Sequence, residues 1–161
     1  FAKLPEAKFT ELNLMEKINK SIHVYDNIPN VHIDLINETN RGDKIIIFGD
    51  RDQVIRTFNN LIKNAIEATL GRRKPKIQIV IKPHDNNHIM VEIIDNGFGI
   101  PEEVIPKIFK PNFTTKSSGT GLGLAFVKQT IMGLGGTIEY ETRLNSGTTF
   151  YIIFPLHKTE N

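Results

Sequence analysis

Residues 50–71 read DRDQVIRTFNNLIKNAIEATLG, a stretch with the marks of one long helix. Asp50 and Gln53 form a capping pair at its start, and Gly71 stops it after about Thr69. Val54, Ile55, Phe58, Leu61, Ile62, Ala65, Ile66 and Ala68 fill one broad apolar face. At about 100° per residue, Gln53, Thr57, Asn60, Asn64 and Glu67 make a separate polar stripe on the same cylinder.

On the N-terminal side, Asn13 and Glu16 resemble a second capping pair, with Leu14, Ile18, Ile22 and Tyr25 following at helical spacing. Residues 1–10, mixed and containing Pro5, suggest a linker or short edge strand after a preceding element. Residues 31–39 (VHIDLINET) alternate like a half-buried strand, 40–43 read as a hairpin turn, and 44–48 (KIIIF) as a short apolar strand. The RGD tripeptide at 41–43 therefore reads as turn chemistry rather than an adhesion ligand. On the C-terminal side, 76–82 (KIQIVIK) and 89–95 (IMVEIID) are strands joined by the turn-rich 84–88 (HDNNH). After Asp95 the chain is irregular for more than about twenty residues, a length that in a compact domain is usually functional. A third helix runs from about 123 to 134, and strands at 137–142 and 148–154 close around LNSG. Hairpin-length links outnumber crossovers, so the order predicts a two-layer α+β sandwich with a mixed, mostly antiparallel sheet covered by three helices.

A chain of 161 residues makes one ordinary domain with a real core. Lys and Arg number 20 against 18 Asp and Glu, and a net charge of +2 is too small for a dedicated duplex-DNA binder unless it is concentrated on one face. With 39% hydrophobic and 24% charged residues the chain is neither intrinsically disordered nor embedded in a membrane. It contains no Cys, which excludes disulfides, thiolate zinc sites and cysteine nucleophiles and fits a reducing compartment. There is no apolar run of about 18 residues, and the opening FAKLPEAKF lacks the apolar core of a signal peptide. A start at Phe1 rather than Met points to a piece of something longer.

Four clusters carry chemistry. Asn60 and Asn64, spaced by one helical turn beside Glu67, place amide oxygens and a carboxylate over one patch, a set that suits Mg²⁺ or is simply a solvated polar face. DNGFGI at 95–100 puts a carboxylate at a strand end, able to accept from an exocyclic amine, with Gly97 and Gly99 letting the backbone lie against a planar ring. The same Asn96-Gly97 step also reads as a plain hairpin turn. GTGLGL at 119–124 enters a helix, where consecutive N–H groups and the helix dipole favour phosphate. It fits neither the dinucleotide fingerprint, which needs Gly at Leu124, nor the P-loop. IFKPNFTTK at 108–116 offers Phe109 and Phe113 as anchors for a mobile segment, or as ordinary core, and Lys116 as a point charge for phosphate or a solvated one.

Together, in one order within about 70 residues, the clusters resemble the catalytic ATP-binding domain of sensor histidine kinases, in the wider group that includes gyrase, MutL and heat-shock chaperone ATPases. NNLIKNAIEAT looks like the N box, DNGFGI the first glycine box, IFKPNFTTK the F box and GTGLGL the second glycine box. The likeness spans roughly residues 12–156, and FAKLP with NAIEA is most similar to the nitrogen-regulation type. It implies a Bergerat-type ATP-binding fold over 11–161, with 1–10 a linker from a missing dimerisation and phosphoacceptor segment, and a lid over about 100–118.

The resemblance implies that Asn64 ligands Mg²⁺, with Asn60 near the phosphates, and that Asp95 accepts from the adenine amine. Gly97, Gly99 and Ile100 then shape the base pocket, and Thr148 helps hold adenine through water. Phe109, Thr115, Lys116, Gly119, Thr120, Gly121, Leu122, Gly123 and Leu124 form the lid and the phosphate end. Hydrolase relatives carry Glu at the place of Asn60, and an amide is a poor base, which favours phosphoryl transfer over hydrolysis. The chain departs from many kinases of the family at Glu67, where they carry Lys or His. The implied partners are ATP, a phosphoacceptor histidine outside this chain and, indirectly, a response regulator; the domain alone is then a monomer, the full protein a homodimer, and the location cytoplasmic. The alternatives are an ATP-driven clamp, a degenerate nucleotide-binding scaffold, and nucleic-acid binding through Arg72, Arg73, Lys74 and Lys76. The last is disfavoured because a short basic run after a helix end is ordinarily solvated surface. A metal role for His84 and His88 lacks further ligands.

Overall fold

Local capping chemistry starts the first two helices. In the computed structural model, which describes residues 6–111 and 123–158, the Asn13 side chain accepts from the Glu16 N–H and opens α1 (Leu14–His23). Asp50 does the same for the Gln53 N–H and opens α2 (Arg51–Thr69). Both caps satisfy helix N–H groups that have no intrahelical partner. The strands are β1 (Phe9–Asn13), β2 (Ile33–Asn37), β3 (Ile46–Asp50), β4 (Ile77–Asp85), β5 (His88–Asp95), β6 (Thr137–Arg143) and β7 (Gly147–Pro155). A short 3-10 turn, Ile105–Lys107, follows β5, and α3 spans Gly123–Gly133.

Five strands form one sheet in the order β2-β4-β5-β7-β6, in which only β2 and β4 run parallel. The expected mixed, mostly antiparallel sheet with three helices is therefore present among the described residues. Alternate residues point to one face: Ile77, Ile79 and Ile81 of β4, Ile89, Val91 and Ile93 of β5, and Phe150, Ile152 and Phe154 of β7 are all buried. Against them packs the apolar face of α2, including Phe58, Leu61, Ile62 and Ala65, with α1 and α3 beside it. At about 25 cal/mol per Å² of apolar surface this layer supplies most of the folding drive.

Two expectations need correction. The turn at residues 40–43 exists, with Gly42 at φ 59° and Lys44 N–H donating to Arg41 C=O, but it does not make a hairpin. β2 joins β4 while β3 pairs antiparallel with β1 in a separate two-stranded sheet. β1 reaches β3 because the Lys8 N–H donates to the Asp50 carboxylate and the Leu14 N–H to Ile45 C=O, and that long-range pairing outweighs the local turn. Phe9 and Thr10, within the stretch read as linker or edge strand, belong to β1. Thr57, placed on the polar stripe, is 1% exposed, while Ile55 and Ala68 from the apolar face are only half-buried. The reason is that α2 is flanked by α1 and α3 as well as the sheet, so its buried arc is rotated from its apolar one.

No helix among the described residues is long and apolar enough to cross a membrane. Burial alone would raise the Asp50 pKa, but N–H bonds from Lys8, Gln53 and Asp52 outweigh it and hold the carboxyl below its usual range. Its contribution is therefore present above the unfolded-state value and fades as pH falls through the lower folded value. Asp50→Ala is expected to lower stability by about 1 kcal/mol near neutral pH. Urea unfolding at pH 7 and in acid checks this, with the gap to wild type narrowing in acid.

Candidate functional site

The end of β5 delivers Asp95 to a place only 7% exposed. Its Oδ1 accepts the Gly97 N–H at 2.8 Å and the Thr148 N–H at 3.3 Å, so the described residues leave Oδ2 for another donor. Burial raises the Asp95 pKa, and those two N–H bonds pull against it. A desolvated carboxylate opposed by so few donors is the environment found where a group is held for use.

The chain after Asp95 is not the plain hairpin turn that Asn96-Gly97 allowed. Asn96 is instead stitched to the segment before β4: its side chain accepts from the Lys76 N–H and donates to Lys74 C=O. The loop then passes between the end of α2 and the β6–β7 turn. A Cβ on Gly97 would lie 2.4 Å from Ala68 C=O, and one on Gly99, at φ 80°, would lie 2.5 Å from Arg143 C=O. The Phe98 N–H donates to Ala68 C=O and the Asn145 N–H to Phe98 C=O, fixing the loop on both sides. The Ile100 N–H donates to the Thr142 hydroxyl, which lies 2.9 Å from the Thr148 hydroxyl, so Asp95, Ile100 and Thr148 belong to one partly buried polar network.

Asn60 and Asn64 lie half-buried on successive turns of α2. The Asn60 amide donates to Gly123 C=O at 3.4 Å, bringing the N box against the start of α3. Gly123 opens α3, and Leu124 packs against the core. Phe109 is half-buried, edge-on to Tyr140 with ring centroids 5.8 Å apart, under the Lys128 ammonium at 4.9 Å. Glu67 has Lys63 one turn before it at 3.8 Å, an ion pair within the helix. Thr115, Lys116, Gly119, Thr120, Gly121 and Leu122 lie outside the described residues, as does Phe113.

Three contributors escaped sequence reasoning. Thr142 sits on β6 with no local signal. Gly147, read only as part of a turn, is at φ 125°, and a Cβ there would lie within 2 Å of Asp95 C=O, at 1.9 Å. Arg72, read as solvated with its basic neighbours, is half-buried and donates from Nη2 to Gly97 C=O at 2.8 Å and to Asn145 C=O. Arg73, Lys74 and Lys76 are exposed, as expected.

A family model described as "Histidine kinase-, DNA gyrase B-, and HSP90-like ATPase" matches residues 49–158. The sensory histidine kinase/phosphatase NtrB of Rhizobium meliloti (strain 1021) is 36% identical over 125 residues, 70% of this chain and 32% of that protein. Sporulation kinase A of Bacillus subtilis (strain 168) is 35% identical over 144 residues, 89% of this chain and 23% of its own. The chain thus spans about a third or less of the curated relatives it matches. A solved catalytic domain of histidine kinase ThkA superposes with a TM-score of 0.78 at 33% identity, covering 92% of this chain and 96% of that one.

A carboxylic acid whose pKa is raised by folding loses stability as pH climbs from its unfolded value through its folded one, so ionised Asp95 costs stability at neutral pH. An amide oxygen can accept the same two N–H bonds. Asp95→Asn is therefore expected to melt at or slightly above wild type in calorimetry at pH 7, and a clear drop would mark the carboxylate as structural.

Proposed function

Because the chain belongs to the histidine kinase-, DNA gyrase B- and HSP90-like ATPase family, we propose that it binds Mg-ATP and donates the γ-phosphoryl group to a histidine on a separate dimerisation segment, as the catalytic domain of a two-component sensor kinase. The observation that carries this reading is the buried Asp95 carboxylate beside a glycine loop too tightly packed for any side chain. Oδ2 accepts the exocyclic amine of adenine, Gly97 and Gly99 shape the base pocket by letting the loop pack against Ala68 and Arg143, and Ile100 closes it. Thr148, hydrogen-bonded to Thr142, orders water against the base.

The amide oxygen of Asn64 suits a hard cation that keeps water and phosphate as its other ligands, and Asn60 lies one turn away toward α3. Bound Mg²⁺ supplies charge neutralisation across the phosphates. The same reading assigns the phosphate end to Gly119, Thr120, Gly121, Leu122, Gly123 and Leu124, with Thr115, Lys116 and Phe109 as further contributors, since a glycine-rich entry to a helix suits an anion. In the transfer step the bond from the γ-phosphorus to its bridging oxygen breaks, ADP leaves, and a bond forms to the acceptor imidazole nitrogen. Asn60 cannot act as a base for water, which keeps hydrolysis slow.

The acceptor lies on another segment, joined to this domain through the residues that precede β1. His23 is engaged with Asp26, His88 with Asp85 and His157 with Glu11, and none of the five histidines sits in an acceptor context. A response regulator is the next phosphoryl acceptor; the solved complex of ThkA with the response regulator TrrA, 30% identical over 94% of this chain with a TM-score of 0.74, supports a partner of that kind. An ATP-using domain of this kind belongs on the cytoplasmic side, and the same reading makes it a monomer alone and part of a homodimer in the full protein.

Calorimetric titration tests the reading. The chain is expected to bind ATP in the micromolar range with Mg²⁺, Asp95→Asn to weaken it at least about tenfold, and Asn64→Asp to change the Mg²⁺ dependence. No binding by wild type, or both variants behaving like it, would overturn the reading. Incubation of the chain with γ-labelled ATP is expected to leave all five histidines unlabelled and to release little phosphate; rapid turnover would favour an ATP-driven clamp.

A further inference from the structure

The peptide unit between Gly97 and Phe98 is held at both ends, from the last turn of α2 and from the turn that follows it. Its C=O accepts from Arg72 Nη2 at 2.8 Å, and its N–H donates to Ala68 C=O at 3.1 Å. Arg72 is itself fixed to the last turn of α2, its own N–H donating to Thr69 C=O at 3.0 Å. The same Nη2 donates to Asn145 C=O in the β6–β7 turn, and the guanidinium carbon lies 4.5 Å from the centre of the Phe98 ring. One side chain thus joins the end of α2, the glycine loop and the β6–β7 turn.

Glycine makes such a joint necessary. Gly97 and Gly99 let the backbone pass where no Cβ fits, but they also remove the steric barriers that stop a peptide plane from flipping. A loop meant to meet a flat ligand has to be fixed before the ligand arrives, since ordering it on binding subtracts from affinity. A planar guanidinium gripping two carbonyls does this better than a point charge would.

We propose that Arg72 is a positioning residue for the nucleotide base: by pinning the Gly97–Phe98 peptide it sets the pocket's affinity and its preference for adenine over guanine. The proposal rests on the Mg-ATP reading above, and its test separates the two. In the nucleotide-free chain, Arg72→Met keeps the apolar stem and removes the donors. The amides of Phe98 and Asn145 are expected to exchange with solvent at least about tenfold faster than in wild type, while those of Leu61 and Ile62 inside α2 are unchanged. With nucleotide, the ATP Kd is expected to rise about tenfold and the preference for ATP over GTP to shrink. The ratio of ATP affinities with and without Mg²⁺ should stay at its wild-type value, because the phosphate end is untouched. Arg72→Lys, which keeps the cation and its donors but loses the planar guanidinium that stacks on Phe98, should fall between the two and replaces Arg72→Met if that variant fails to fold. Wild-type exchange at Phe98 and Asn145, an unchanged ATP-to-GTP preference, or a Mg²⁺ ratio that moves as much as the preference would overturn the role of Arg72. Absence of ATP binding by wild type would overturn the nucleotide reading and the base-selecting role with it, the exchange data still deciding whether Arg72 pins the loop.

Discussion

Three stretches of backbone meet around residues 95–99 with no space for a side chain between them. The Gly97 backbone lies against Ala68 at the end of α2, Gly99 against Arg143 at the end of β6, and Gly147 against Asp95 at the end of β5. Close approach of this kind is possible only where Cβ is absent, and it sets how α2 sits over the sheet. The rest of the architecture follows from it. β5 and β7 align so that Asp95 lies opposite Thr148, and the Thr148 N–H reaches the Asp95 carboxylate.

The same arrangement places opposing demands on Asp95. Burial disfavours its charge, and two N–H bonds recover only part of what water would have given. A protein selected for stability alone would hold an amide or an apolar residue there. A carboxylate with one oxygen committed to the fold and the other facing a ligand serves both purposes at a modest energetic cost. The hydroxyls of Thr142 and Thr148 extend this polar network across β6 and β7, the bond between them satisfying a donor on one and an acceptor on the other.

What the sequence made legible was mostly local. Asn13 and Asp50 signalled their helices because a cap binds a backbone N–H three residues away. The strand runs were clear because alternation is a property of neighbours, and the pairing that joined β2 to β4 rather than β3 was hidden because register depends on distant backbone. Asp95 and the glycines of its loop stood out through residue type and order. Arg72 did not, because its acceptors lie 25 and 73 positions away and nothing in RRKPK separates a gripping arginine from a solvated one. Thr142 was silent for the same reason, its partner Ile100 being 42 residues distant.

The strand order has a consequence for how copies of the domain treat one another. β2 and β6 stand at the two ends of the five-stranded sheet, and an end strand is a template on which a second chain can add. Both carry acidic exposed residues, Asp34 on β2 and Glu139 and Glu141 on β6, and β2 is only five residues long. Like charges set opposite each other disfavour the addition of an identical strand. The acidic residues at the margins of the sheet thus act as colloidal guards, opposing edge-to-edge fusion of the sheets of neighbouring copies when the domain is concentrated.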